Sequence, residues 1–223
     1  MARVESIQSG LTLFVRLAPQ LADGVLVTLE VAVLAFVSAV ACALILLPLR
    51  LSPRPVLSLA VRAYVEMMRN TPLLLQMYLL YFGLPLISLP LSAVATGVMA
   101  IGLQHAAYLV EIFRAAVQAI GRDQRDAAKA LGLHPLSAFC LVIFPQALVR
   151  VLAPLTNQSI VLVKDTTLVS AISVMDLTLI GKLIVERSAA SDAFFIIALF
   201  YLGLTSLLGL AHRLIERRYA DRI

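Results

Sequence analysis

Glu66 and Arg69 stand one helical turn apart, followed at once by Asn70-Thr71-Pro72, and the next Asp, Glu, Lys or Arg is Glu111. In a stretch this apolar each charge costs about 2.5–3.5 kcal/mol to insert into a bilayer, so charges retained there are paired or functional. Two arrangements fit the spacing. Glu66 and Arg69 can pair with each other across the turn. Alternatively, Pro72 breaks the helix just beyond Arg69, and a broken helix can direct backbone groups and a planar guanidinium fork at a carboxylate. A second cluster, Lys164-Asp165-Thr166-Thr167, follows a long apolar run. Asp165 or Thr166 could serve there as a helix cap. Asn157-Gln158 lie about two turns earlier and carry neutral amides. His105 is alone in an otherwise neutral stretch and reads first as a packed, hydrogen-bonded residue, with a substrate or proton role as the alternative. Glu111 and Arg114 read as an i,i+3 pair.

Catalytic patterns are missing. The one Gly-Lys, Gly181-Lys182, is followed by Leu183 and lacks the upstream glycine of a phosphate-binding loop, so the chain cannot hydrolyse ATP unaided. No Gly-x-Ser-x-Gly or His-Glu-x-x-His occurs, which leaves an intramembrane hydrolase without nucleophile or metal site. Cys42 and Cys140 lie within apolar runs, have no metal-ligand spacing and read as small packing residues. No catalytic and no metal-binding residue is assigned.

The elements that must hold these residues are spans. Of the 223 residues, 61% are hydrophobic and only 14% charged, far from the composition of a soluble domain. Several runs exceed the roughly 18–20 apolar residues that cross a bilayer. The first span is Gly24 to Leu47, ended by Pro48, Pro53 and Pro55. The second runs from Val56 to about Phe82, bent or broken at Pro72, with "GLPLISLP" as a turn after it. The third runs from about Leu91 to Val110. A fourth apolar stretch, 136–163, is divided by Pro145 and Pro154; the segment after it, to about residue 192, is too polar to span simply. The last span is Ala193 to Leu210, and the tail beyond it is basic. With the N-terminus outside, one set of loops holds most of the Lys and Arg, from Arg50 and Arg54 through Arg122, Arg125 and Lys129 to Arg222. The other set holds only Arg3, Arg16, Lys164, Lys182 and Arg187. That asymmetry places the first set, and the C-terminus, in the cytoplasm. The same bias accounts for the net charge of +5 without any nucleic-acid partner.

"GRDQRDAAKALGLHP", residues 121–135, is a polar island between apolar runs. Arg122–Leu133 are good helix formers; Ala127, Ala128, Leu131 and Leu133 gather on one side, and Gly132 with Pro135 ends the helix. It could be a solvated loop helix, a helix lying on headgroups, or one whose small-residue face enters a groove.

"DAAKALGLHPLSAFCLVIFP" resembles the loop signature of permease subunits of ABC importers: Glu-Ala-Ala, three residues, Gly, nine residues, then Ile-x-Leu-Pro. Asp126-Ala127-Ala128, Gly132, Val142, Phe144 and Pro145 fall at matching spacings, with Asp for Glu, Val for Ile and Phe for Leu. "YVEMMRNTPLLLQMYLLYFGLP" (64–85), "AAYLVEIFRAAVQAI" (106–120), "FPQALVR" (144–150) and "LVKDTTLVSAISVMDLT" (162–178) are similar to the polar amino acid branch, which includes histidine, glutamine, arginine and opine permeases. The resemblance implies an all-α integral membrane protein of about five spans, the type I importer transmembrane domain, in a bacterial inner membrane. Residues 1–21 would be an N-terminal periplasmic segment, 22–213 the transmembrane domain and 214–223 a cytoplasmic tail.

The family's coupling helix corresponds here to Asp126, Ala127, Ala128, Gly132 and Leu133, which would dock on a cytoplasmic ABC ATPase dimer. ATP and Mg would bind that partner, and this chain would hold no cofactor. One chain makes half a pore, so a second permease subunit, identical or related, would complete it, with an extracytoplasmic binding protein delivering a polar amino acid. The family also breaks a helix near Asp165. Arg69 and Asp165 would then grip the two charges of an α-amino acid, with Thr166 and Glu66 nearby and Gln158 facing the side chain. A neutral amide there leans slightly against arginine or lysine. The alternative is an ion-coupled secondary transporter using Glu66 or Asp165, which leaves the island idle.

Overall fold

A computed structural model describes the backbone of residues 2–188 and 192–220, and within these the side chains from residue 19 onward except 188, 192, 212 and 216–220. Every element among the described residues is helical. The helices are α1 (Ala2–Arg50), α2 (Pro55–Asn70), α3 (Leu73–Gly83), α4 (Ala93–Gln118), α5 (Arg122–Ala130), α6 (Pro135–Ala138), α7 (Phe144–Asp165), α8 (Leu177–Ser188) and α9 (Asp192–Ala220). Four stretches are long and apolar enough to cross a membrane, Pro19–Arg50, Ala93–Gln118, Pro135–Ile172 and Ala193–Ile215; a fifth arises if α2 and α3 form one broken span. The side chains of the expected N-terminal segment and of the basic tail fall largely outside those described.

The chain divides into two compact units. One comprises Phe36–Pro72, Gly102–Val161 and Leu207–Ile223. Its core is made of small and branched residues: Ala39 and Ala43 of α1, Val61 and Val65 of α2, Ala106, Ala107 and Val110 of α4, and Ala147 and Val151 of α7. Alanines at such positions let helix backbones approach closely, which is how helices associate where lipid removes any hydrophobic driving force. The same helices carry exposed Val37, Leu44, Ile45 and Leu148, apolar side chains suited to a hydrocarbon surrounding.

The other unit comprises Met1–Ala35, Leu73–Ile101 and Leu162–Ser206. Leu21, Leu177, Ile180, Ile184, Ala193 and Ile197 form its core. Gly24 is needed there: a Cβ at this position would lie 2.9 Å from the Leu177 Cα and 2.8 Å from the Ile180 Cδ1.

The break at Pro72 is present: α2 stops at Asn70 and α3 begins at Leu73. Pro145 and Pro154 do not divide the fourth stretch as expected. Helical structure runs from Pro135 through Ile172, changing type along the way. Residues Phe139–Ile143 form a π-helical turn just before Pro145. A proline lacks an N–H and its ring collides with the carbonyl four residues back; a widened turn admits it without ending the helix. Gln146 Nε2 donates to the Val142 carbonyl at 2.8 Å beside this site. Pro154 is simply carried inside α7. The third span also runs past Val110, to Gln118.

Candidate functional site

The polar island forms α5, shorter than the sequence suggests, and its end is fully determined. Gly132 has φ +73°, a conformation glycine adopts without strain. Leu133 N donates to the Ala128 carbonyl at 3.1 Å and Gly132 N to the Lys129 carbonyl at 2.9 Å, the paired bonds of a Schellman motif. Asp123 in the first turn and Lys129 in the last complement the helix dipole. Two side-chain bonds tie α5 to its own unit: Arg125 donates to the Val117 carbonyl at the end of α4 at 2.9 Å, and Gln146 donates to Gln124 Oε1 at 3.3 Å. The expected small-residue face divides. Ala128 is buried and Leu133 half-buried, while Ala127, Leu131 and Gly132 are exposed. Asp126 and Lys129 pair at 3.7 Å, but both are solvent-exposed and the pair contributes little.

The same end of α4 holds an ion cluster. Glu111 accepts from Arg50 Nε at 2.8 Å and from Arg114 Nε at 2.7 Å. Arg50 also donates to Ser58 Oγ at 3.1 Å, so α1, α2 and α4 are laced together. The expected i,i+3 pair of Glu111 and Arg114 therefore has a third member, Arg50.

At the break after α2 the sequence candidates take different partners. Asn70 donates to Glu66 Oε2 at 3.2 Å, while the exposed Arg69 guanidinium lies over the Tyr108 ring, 5.0 Å from its centroid. Such a cation–π contact holds the guanidinium without occupying its N–H donors. Gln104 Nε2 donates to the Met68 and Thr71 carbonyls at 3.3 Å each, and Thr71 Oγ1 donates to the Met67 carbonyl at 2.8 Å. These bonds satisfy carbonyls that the break at Pro72 frees. Farther along, His105 is buried, its ring is 6.4 Å from that of Tyr108, and its Nδ1 lies 2.8 Å from Gln158 Nε2. Arg69, Tyr108, His105 and Gln158 thus form one polar strip within one unit. Asn157 is exposed beside it.

Asp165 and Thr166 belong to the other unit. There α7 ends at Asp165 and a 3-10 helix covers Thr166–Ile172. Asp165 is half-buried. Thr166 is fully buried, and its hydroxyl donates to the Val163 carbonyl at 2.7 Å; Thr167 and Ser170 bond their own preceding carbonyls likewise. Ser173 then reverses the chain with φ +65°. Lys182 Nζ donates to Ser170 Oγ at 3.1 Å. Among the described residues no group of His, Cys, Asp and Glu is arranged to hold a metal ion.

Residues 35–221 match the family described as "Binding-protein-dependent transport system inner membrane component". The chain belongs to this family. Similar relatives include the probable glutamine ABC transporter permease protein GlnP of Bacillus subtilis, 36% identical over 200 residues, covering 88% of this chain and 92% of the relative. The glutamine transport system permease protein GlnP of Escherichia coli is 37% identical over 158 residues, covering 70% of this chain and 72% of the relative. Among solved structures, an amino acid ABC transporter crystallised with histidines superposes with TM-score 0.87 at 33% identity, covering 92% of this chain and 96% of that one. A methionine ABC transporter, at TM-score 0.74 and 19% identity, shares the fold. The chain is a multi-pass membrane permease subunit of an ABC importer, and the ion-coupled alternative is not favoured.

Sequence reasoning missed Tyr108 as the partner of Arg69, Arg50 as a partner of Glu111, and Asp176. In this permease subunit Asp176 is fully buried between the 3-10 segment and α8. Its Oδ1 caps α8 by accepting from Leu179 N at 2.9 Å, and its Oδ2 has no hydrogen-bond partner among the described residues. The one signal in the sequence is an Asp directly before the apolar-periodic "LTLIGKLI". Burial pushes the Asp176 carboxyl above the usual range, opposed by its bonds to Leu179 and Thr178 and by Lys182 nearby. A carboxyl raised on folding stabilises the folded chain fully below its unfolded value, about 3.9, and that contribution is lost as pH rises through the folded value. Asp176→Asn keeps the cap and removes the buried charge. Its melting temperature in detergent should rise by about 2–4 °C at neutral pH, as about 1 kcal/mol would give, and its stability should no longer fall as pH rises from about 4. A variant that melts lower at every pH would show the ionised carboxylate to be needed.

Proposed function

We propose that this chain forms half of the translocation path of an ATP-driven, binding-protein-dependent importer of polar amino acids in a bacterial inner membrane. A second permease subunit completes the path, a cytoplasmic ATPase dimer binds ATP and Mg and supplies the energy, and an extracytoplasmic protein delivers the substrate. Support comes from the amino acid and glutamine permeases among the relatives and from α5. The observation that carries the coupling role is that this short helix has an exposed outer face with Ala127, Leu131 and Gly132, while Arg125 and Gln124 fasten it to the span-bearing unit. A helix held this way transmits a push from a docked partner into α4 and α7. Asp126, Ala127 and Gly132 form the docking face; Ala128 and Leu133 seat the helix on its own unit.

On the substrate side, Arg69 takes the α-carboxylate. Its fork is exposed and parked on Tyr108, from which a carboxylate can draw it by a two-pronged, charge-assisted contact. In the other unit, Asp165 is half-buried where the helix changes type and Thr166 shapes the backbone there; beside Arg69, Glu66 holds Asn70 at the end of α2.

Both roles can be separated in the whole complex reconstituted in proteoliposomes. Gly132→Arg forces a bulky cation into a left-handed, exposed position and should abolish uptake together with stimulated ATP hydrolysis. Arg69→Ala should leave assembly and basal hydrolysis intact and lower uptake at limiting substrate about 10- to 100-fold, as loss of a hydrogen bond to a charged group would. Normal uptake by Gly132→Arg would remove the docking assignment, and unchanged uptake kinetics in Arg69→Ala would return Arg69 to a structural role.

A further inference from the structure

We infer that the turn between α3 and α4 is a lipid anchor: its apolar side chains seat in the acyl-chain boundary of the bilayer, where an ordinary connecting loop would face water.

After α3 the chain makes a 3-10 turn over Leu84–Ile87, and α4 opens at Ala93. Leu86 is 86% exposed, Ile87 65%, Leu89 59% and Leu91 43%. Exposed apolar surface gathered in this way marks a contact with a membrane or a partner. From Asn70 to Val110 there is no Asp, Glu, Lys or Arg to hold the turn in water.

The backbone favours lipid. Pro85 and Pro90 have no N–H. Ser88 N donates to the Pro85 carbonyl and Leu89 N to the Leu84 carbonyl, each at 3.1 Å. Leu86 and Ile87 lie in the 3-10 turn, where N–H groups bond carbonyls three residues back. No N–H from Leu86 to Pro90 is thus left for water, which a segment at the edge of hydrocarbon requires. The irregular backbone keeps it at the boundary, since lipid-facing loops do not occur at the depth of the spans.

The side chains agree. The exposed residues of α3 are Leu75, Leu79 and Phe82, a stripe at helical spacing that runs on to Leu86. Tyr78 and Tyr81, both half-buried, flank Phe82 with ring centroids 5.9 and 5.1 Å away. Tyrosines collect at the membrane–water boundary, where one end of the ring is apolar and the other wet. A soluble partner that docks and leaves would need a surface of mixed polarity. Between Gly83 and Pro90 the one polar side chain is Ser88. Lipid therefore holds the far end of α3, the helix that begins just after Pro72.

The test uses the permease complex in vesicles of phosphatidylcholine and phosphatidylglycerol. The chain has no Trp, so Leu86→Trp adds one reporter per copy, read as the emission gained over the unsubstituted complex. Phosphatidylcholine brominated near the glycerol end of its acyl chains should quench most of that emission, as a residue about 5–10 Å into the boundary would show. Bromine near the methyl ends should quench less, and aqueous iodide least. Leu89→Trp should behave alike. Adding Leu86→Asp to Leu89→Trp should lift the turn, lowering quenching by lipid and raising quenching by iodide. If iodide quenches Leu86→Trp most, the turn lies in water. If neither iodide nor bromine quenches it, a protein neighbour covers the turn. Either result overturns the inference, as does strongest quenching by the deep bromine.

Discussion

Hydrocarbon supplies no hydrogen bonds, and a helix broken within it must find side-chain partners for every backbone group the break frees. This constraint explains where the polar residues of the chain are. Gln104 donates to two carbonyls at the end of α2, and Thr71 to a third. Gln146 covers the Val142 carbonyl beside the π-helical turn. Thr166, Thr167 and Ser170 turn their hydroxyls back on the 3-10 segment, and Asp176 and Thr28 receive the N–H groups that open α8. Of these, Thr166 looks like a candidate substrate contact in the sequence. The hydroxyls and amides of the set maintain irregular backbone at depth instead.

Once that backbone is satisfied, the groups left over define the functional surface. Arg69 needs no carboxylate partner from its own helix, since Glu66 bonds Asn70 and the guanidinium rests on an aromatic face. A cation stored on a ring keeps its donors available, which a salt bridge would not allow. One turn farther along α4 the opposite logic holds. Glu111 ties Arg50 and Arg114 together, and Arg125 fastens α5 to α4. The coupling role proposed for α5 calls for such stiffness, because a helix that receives a push must pass it on to the spans without bending.

Much of this was legible in the sequence. Apolar run lengths and the position of Pro72 marked the spans and the interrupted one, and Gly132 marked the end of α5, because each of these depends on residues close together in the chain. The failures share a cause. Pro145 and Pro154 looked like helix ends, yet a π-helical turn and the tolerance of long apolar helices carry both. Arg50 and Glu111 are 61 positions apart, and Gln158 and His105 are 53 apart, so no local pattern relates them. Arg69 invited pairing with Glu66 by spacing alone, whereas the winning partner, Tyr108, sits on another helix. Ala128 shows the limit of helical periodicity: it belongs to the small-residue face by position but is buried against its own unit.

The central claim is that α5 is where an ATP-hydrolysing subunit grips this chain. Lys129, with its side chain 79% exposed on that helix, is the place to ask. A photoreactive crosslinker introduced at Lys129 in native membranes should capture one dominant partner, an ABC ATPase, with a yield that changes when ATP is bound. Capture of no nucleotide-binding protein, in membranes where the chain is present and folded, would contradict the account.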